Sequence, residues 1–151
     1  MRVHNDYKEG WNVASQVDDP NSVFSFWQKL LKLRKQYEAL VYGMSAEALV
    51  NNSADMTGTF IPLDEKNEKS YSYIRHDKTI DQKILVVLNF SRSGPDTEGY
   101  YHGEKTTVEL PSDIDVSKAK LIITNGDQKE GSGLENGKIV LSEWEGRVYL
   151  L

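Results

Sequence analysis

The chain has 151 residues, enough for one domain or for a small domain with a piece of another. Its 18 basic and 23 acidic side chains give a formal net charge of −5, which argues against a nucleic-acid module, since such modules carry a basic excess on one face. There is no cysteine, which removes disulfides and thiolate metal sites and fits a cytoplasmic protein. No apolar run approaches the roughly 18 residues of a membrane span, and no secretory signal is expected from the first residues.

Met1 to Asp19 is polar and aromatic without a clear period and reads as an extended loop. Asp18-Asp19-Pro20 is a helix start: a carboxylate accepts the orphan backbone N–H groups, and proline suits the first turn. The helix is predicted to run to about Tyr37, roughly 27 Å, with Lys32, Arg34 and Lys35 complementing its dipole near the end. Phe24, Trp27, Leu31 and Arg34 form one stripe, which Val23, Phe26, Leu30, Leu33 and Tyr37 widen beyond a narrow seam. A stripe that wide implies packing on more than one side, and hence a larger protein around the helix. The basic residues Lys29, Lys32, Arg34 and Lys35 read as a solvated face.

Beyond the helix the chain reads as β-structure. Ala39 to Tyr42 is predicted as a first strand, ended by Gly43. Met44 to Asp64 is ambiguous: 46–50 fits either strand or helix, and 51–58 has turn composition. Tyr71 to Arg75 alternates and reads as a strand. Lys83 to Phe90 is a continuous apolar run, predicted as a central strand buried on both faces. Arg92 to Glu104 reads as a loop. Thr106 to Leu110, Ala119 to Thr124, Ile139 to Ser142 and Arg147 to Leu151 complete the strands. Asn125-Gly126 and Asn136-Gly137 are turn signals of the kind that fits hairpins. The expected fold is mainly β, an antiparallel Greek-key β-sandwich over residues 39–151, with Leu85, Val87, Ile122, Val140 and Tyr149 among its inward residues. Residues 1–38 form a separate piece carrying one long helix.

Motifs that carry chemistry are sparse. His4, His76 and His102 lie far apart without ligand spacing, so no metal is expected. There is no Ser-His-acid signature and no phosphate-cradling loop, and no cofactor is implied. Asn51-Asn52-Ser53 and Asn89-Phe90-Ser91 match the N-glycosylation pattern, but Asn89 ends a buried strand where a glycan would clash, and no modification is expected. Tyr100-Tyr101-His102 and Trp144 have the residue types of a sugar-stacking platform, but no carbohydrate site is expected there, and Trp144 is expected to plug the end of the sandwich core.

The order Val3-His4-Asn5-Asp6-Tyr7-Lys8-Glu9, Asn12-Val13, Asp19-Pro20-Asn21-Ser22-Val23-Phe24, Leu33-Arg34-Lys35 and Leu40-Val41-Tyr42-Gly43 resembles the C-terminal part of the α-glucosidases of glycoside hydrolase family 13. Lys83-Ile84-Leu85-Val86-Val87-Leu88-Asn89-Phe90-Ser91 and Trp144-Glu145-Gly146-Arg147-Val148-Tyr149 fit the same tail in order. The fungal maltase and isomaltase branch and the bacterial oligo-1,6-glucosidases are the nearest in pattern; the stretches 44–69 and 92–105 match weakly.

The resemblance implies that the helix is the last of a (β/α)8 barrel, followed by a C-terminal all-β domain. The parent would be a retaining hydrolase of terminal α-glucosidic bonds in maltose-, sucrose- or isomaltose-like sugars. Its carboxylates sit in motifs preceding Met1, and none of them occurs here; Asp6 lies in a loop near the barrel mouth, and His4 departs from the Asn frequent in the family. The chain is thus expected to have no catalytic, substrate-binding or metal residue of its own, to meet α-glucosides only through the parent, and to have the missing catalytic barrel as its partner. Alone, it is expected to self-associate. Two other readings remain open, a stand-alone carbohydrate-binding β-sandwich and a protein-interaction module using the apolar helix.

Overall fold

The computed structural model describes residues 12–41, 60–78 and 80–151. The chain divides into two compact units, Met1–Tyr37 and Glu38–Leu151. Among the described residues no helix is long and apolar enough to cross a membrane.

The first unit holds two helices. A single turn, α1 (Val13–Gln16), forms where an extended loop was expected, because Asn12 caps it: the Ser15 N–H donates to Asn12 Oδ1 at 3.0 Å. The main helix, α2 (Val23–Gln36), starts later than Asp18-Asp19-Pro20 implied. Its cap is Ser22, whose Oγ accepts from the Ser25 N–H at 3.1 Å. The Asp19 carboxylate is instead taken by the Asn21 N–H at 2.9 Å, so the proline belongs to the turn before the helix. Arg34 and Lys35 lie in the last turn of α2, where they suit the dipole. No residue of α2 is buried.

The second unit opens with a 3₁₀ turn, Glu38–Leu40, rather than the strand expected from Ala39. Side chains answer its backbone: the Ala39 N–H donates to Gln82 Oε1 at 3.4 Å, and Arg75 Nε donates to the Ala39 carbonyl at 3.2 Å. Ala39 thereby becomes fully buried without pairing as a strand. The ambiguous region resolves at its end into β1 (Phe60–Leu63); residues 42–59 lie outside the described residues.

Next come β2 (Ser70–Asp77) and β3 (Gln82–Asn89), as the alternating and apolar runs predicted. Residues Ile84 to Val87 of β3 are all buried, the signature of a strand covered on both faces. The stretch predicted as a loop holds a small hairpin, β4 (Arg92–Pro95) and β5 (Tyr101–Gly103). Its pairing is limited to Arg92↔Gly103 and Pro95↔Tyr101 around a bulge, too short to leave an alternating pattern in the sequence. The remaining strands are β6 (Thr106–Glu109), β7 (Lys120–Thr124), β8 (Lys138–Leu141) and β9 (Gly146–Leu150).

All pairings are antiparallel. Five strands form one sheet in the order β1-β2-β3-β9-β7, and β4-β5 and β6-β8 form two-stranded ribbons. The β6-β8 ribbon turns Val108, Ile139 and Leu141 onto the inner face of the large sheet, where Leu63, Ile74, Leu85, Val87, Leu121 and Tyr149 complete the core. The fold is the mainly antiparallel β-domain expected, with further expectations corrected in detail.

Val140 points out, 54% exposed, because Ile139 and Leu141 take the inward positions of β8. Ile122 is only half-buried, because the alternation of β7 gives the buried positions to its neighbours Leu121 and Ile123. Neither Asn-Gly pair joins adjacent strands, because β7 pairs with β9 and β8 with β6. Asn136 and Gly137 do take left-handed backbone, with φ of 57° and 63°.

Candidate functional site

One end of the sandwich gathers the polar side chains that the strands leave unpaired. The turn before β9 buries Glu145, and β9 itself buries Arg147. Arg147 Nε donates to Glu145 Oε1 at 2.7 Å and Nη2 to Oε2 at 3.0 Å. Nη2 also donates to the Val140 carbonyl at 2.8 Å, tying β9 to β8. Glu145 accepts further from the Ser142 N–H at 2.7 Å and the Thr124 hydroxyl at 3.2 Å. Gly126 lies directly against the Glu145 carboxylate, leaving no room for a Cβ. Burial pushes the Glu145 carboxyl up, but the hydrogen bonds from Arg147 and Ser142 outweigh it and hold the group below its ordinary value. Asn89, at the end of β3, joins the cluster: its Nδ2 donates to the carbonyls of Glu104 and Ser142, each at 2.7 Å. A side chain so engaged and buried has no exposed amide for a glycan. Asn51 lies outside the described residues.

Beside this cluster stands an aromatic surface. The β4-β5 turn is organised by Asp96, whose Oδ1 accepts from the Glu98 and Tyr100 N–H groups at 2.9 Å each. Its Oδ2 bonds His102 Nε2 at 2.7 Å, and this bond, followed by that from the Tyr100 N–H, lowers the Asp96 titration. Tyr100, Tyr101 and Trp144 are exposed, and the Arg92 guanidinium lies 4.3 Å from the Tyr101 ring centroid. Trp144 is not the core plug expected. It occupies a turn with φ +56°, is 47% exposed, and lays its indole edge on Gly103. A Cβ on that glycine would fall 2.5 Å from Trp144 Nε1.

The other singled-out residues scatter. Asp6, His4 and the 3–7 loop lie outside the described residues. His76 pairs with Asp81 at 2.9 Å and His102 with Asp96, at separate places on the surface. Among the described residues no three His, Cys, Asp or Glu side chains are grouped to hold a metal. Lys29, Lys32, Arg34 and Lys35 are exposed, as a solvated face requires. The carboxyls with shifted titration, Asp81, Asp96, Asp115 and Glu145, are all lowered, whereas a general acid needs the opposite shift.

Neither the buried Glu145–Arg147 pair nor the β4-β5 hairpin was singled out from the sequence as such. The Trp-Glu-Gly-Arg run was a visible signal for the first. The second carried only its adjacent aromatics.

Comparison with known proteins gives a consistent picture. The model of the alpha-amylase catalytic domain matches residues 1–43. An oligo-1,6-glucosidase of Parageobacillus thermoglucosidasius is 34% identical over 149 residues, covering 97% of this chain and 21% of the relative. An α-glucosidase of Schizosaccharomyces pombe is 38% identical over 92 residues, 60% of this chain and 13% of the relative. Among solved structures, isomaltulose synthase from Erwinia rhapontici matches 99% of the chain and 21% of its own length, with a TM-score of 0.71 and 27% identity. The chain therefore spans about a fifth of the length of the relatives that match it along nearly all of its own.

Proposed function

We infer that this chain, similar in sequence and fold to the C-terminal part of the α-glucosidases of glycoside hydrolase family 13, serves as the structural completion of such an enzyme. In this reading residues 1–38 are the end of the catalytic barrel and residues 39–151 are the β-domain behind it. The partner is the barrel that carries the catalytic carboxylates. The whole enzyme hydrolyses terminal α-glucosidic bonds in maltose-, sucrose- or isomaltose-like sugars with retention: one of two carboxyl groups about 5 Å apart bonds to the anomeric carbon as a glycosyl-enzyme intermediate, while the other protonates the leaving oxygen and then activates the water that releases the sugar. The cytoplasm is the proposed location, supported by the absence of cysteine.

The observation that carries the reading is the helix. Val23, Trp27 and Leu31 recur at every fourth residue on one stripe of α2 and are 67%, 59% and 52% exposed. Burying a large apolar side chain is worth about 1.5–3 kcal/mol, so a row of them in water is the face of an element made for a neighbour. The match of the alpha-amylase catalytic-domain model to residues 1–43 supports a barrel as that neighbour.

Complementation tests the reading. The purified chain is expected to release no glucose from maltose, isomaltose or a nitrophenyl α-glucoside. Co-expression with an oligo-1,6-glucosidase cut just before the matching segment is expected to restore soluble, active enzyme. Turnover by the chain alone that disappears on mutating one of its acidic residues, or failure of every such pairing to recover activity, would overturn it.

A further inference from the structure

The barrel-completing role leaves the exposed aromatic residues of the β-domain without a use. Trp144 is the most demanding of them. Its φ of +56° belongs to a region where a bulky residue is a rare outlier and where glycine or asparagine is at ease. Nearly half of its surface is in water. A residue kept in an uncomfortable backbone conformation, without core burial to compensate, points to a role for the ring itself.

The strand register shows what the ring stands beside. Arg92 lies directly across from Gly103 in the β4-β5 pair, so the two share a face. Tyr101 is two residues from Gly103 on the same strand and shares that face too. The indole of Trp144 occupies the space where a Gly103 side chain would project. The indole of Trp144 thus lies at the Gly103 position of the face that also carries Arg92 and Tyr101. His102 points to the opposite face, where Asp96 holds it.

That shared face has the chemistry of a sugar site. Two half-exposed aromatic rings offer apolar faces. The Arg92 guanidinium stacks on one side of Tyr101 and fixes that ring, while its N–H groups remain beside it as donors to hydroxyls. Glu143, exposed and packed by its Cβ against Gly103, supplies an acceptor at the other end. The Asp96-centred turn holds the hairpin rigid, so little order has to be gained on binding.

We propose that the β4-β5 hairpin and the turn before β9 form a non-catalytic binding site for a short α-gluco-oligosaccharide, stacked across Tyr101 and Trp144. The choice of glucose units rests on the proposed glucosidase reading; the platform rests only on this geometry. Such a site would hold a substrate chain on the β-domain, away from any bond cleavage.

The test uses the ¹⁵N-labelled 151-residue chain and maltotriose as probe. The chain has three tryptophans, and the Trp144 indole N–H resonance is identified by its loss in Trp144→Gly. Titration is expected to shift that resonance and the Arg92 and Tyr101 amides saturably, with glycerol at matched hydroxyl concentration producing no saturable shift.

Tyr101→Ala is expected to weaken binding about fivefold to tenfold, the worth of one aromatic contact. Trp144→Gly, which suits the backbone, is expected to abolish binding while the chain stays folded. A flat titration of the folded wild-type chain, or binding that both variants leave intact, would overturn the site. Binding together with failed complementation would sink the barrel reading alone, and complementation without binding would sink this site alone.

Discussion

Helix α2 and strand β3 both carry large apolar side chains, and these end in opposite environments. β3 buries four consecutive side chains, Ile84 to Val87, while α2 buries none. β3 has an unbroken aliphatic run, Ile84 to Leu88, whereas α2 interleaves its apolar residues with charged ones, but it is the layers around each element that decide burial. β3 sits between β2 and β9 with the β6-β8 ribbon over one face and the Glu38–Leu40 turn against the strand. On the apolar stripe of α2, Val23, Trp27 and Leu31 are exposed. An amphipathic element records that a partner is needed, and only the surrounding layers determine whether the chain contains it.

The sharpest way to probe the satisfied region is to break its buried ion pair. Arg147→Met leaves the Glu145 carboxylate buried without its partner and is expected to cost about 3–5 kcal/mol in a denaturant melt. A cost below about 1 kcal/mol would mean that water reaches the pair and that the end of the sandwich is looser than its hydrogen bonds imply.

Core truncation comes next. Leu141→Ala is expected to cost about 2–5 kcal/mol, whereas Val140→Ala, one residue away on the outward face of β8, is expected to stay within about 0.5 kcal/mol. Similar costs at both positions would contradict the register of β6 with β8.

Acid sharpens the same contrast. The Glu145 carboxyl titrates below its ordinary value in the folded chain. Its stabilising contribution is therefore complete above the unfolded pKa of about 4.3 and is lost as pH falls through the lower folded value. Thermal melts of the wild type and Glu145→Gln are expected to differ most near pH 6 and to converge toward pH 3. A gap independent of pH would remove the charge from the explanation.

The smallest effect is expected in the helix. Trp27→Ser in this chain should change stability by less than about 0.5 kcal/mol while lowering concentration-dependent self-association in sedimentation. In the complemented enzyme the same change should cost several times more, as a lost core side chain does, about 3–5 kcal/mol. Equal costs in both contexts would show that the helix already has its full burial here, and the contrast between the two regions would vanish.

Much of this was readable from residue order. The run Lys83 to Phe90 read as a central strand because its aliphatic stretch Ile84 to Leu88 has no polar face to give to water; the strand ends at Asn89, and Phe90 beyond it is exposed. The spaced blocks from Val3 to Tyr149 resemble the C-terminal part of family 13 α-glucosidases, and an oligo-1,6-glucosidase and an α-glucosidase are among the proteins to which the chain is similar. The width of the helix stripe carried the expectation of a partner, on which the proposed barrel-completing role rests. What the order could not decide depended on one-residue choices of register. Whether Val140 or Ile139 faces the core depends on which position of β8 lies across from Val108 of β6, and a shift of one reverses every side chain. The Asn-Gly pairs signalled turns correctly as local chemistry, but which strands they lie between is set by long-range pairing. Trp144 reaches Gly103, on the strand of Tyr101, only because the β4-β5 ribbon folds against the turn before β9, bringing together residues some forty positions apart. Local sequence carries periodicity and capping. Register, burial and the assembly of distant side chains belong to the packed structure, where layers compete for the same apolar surface.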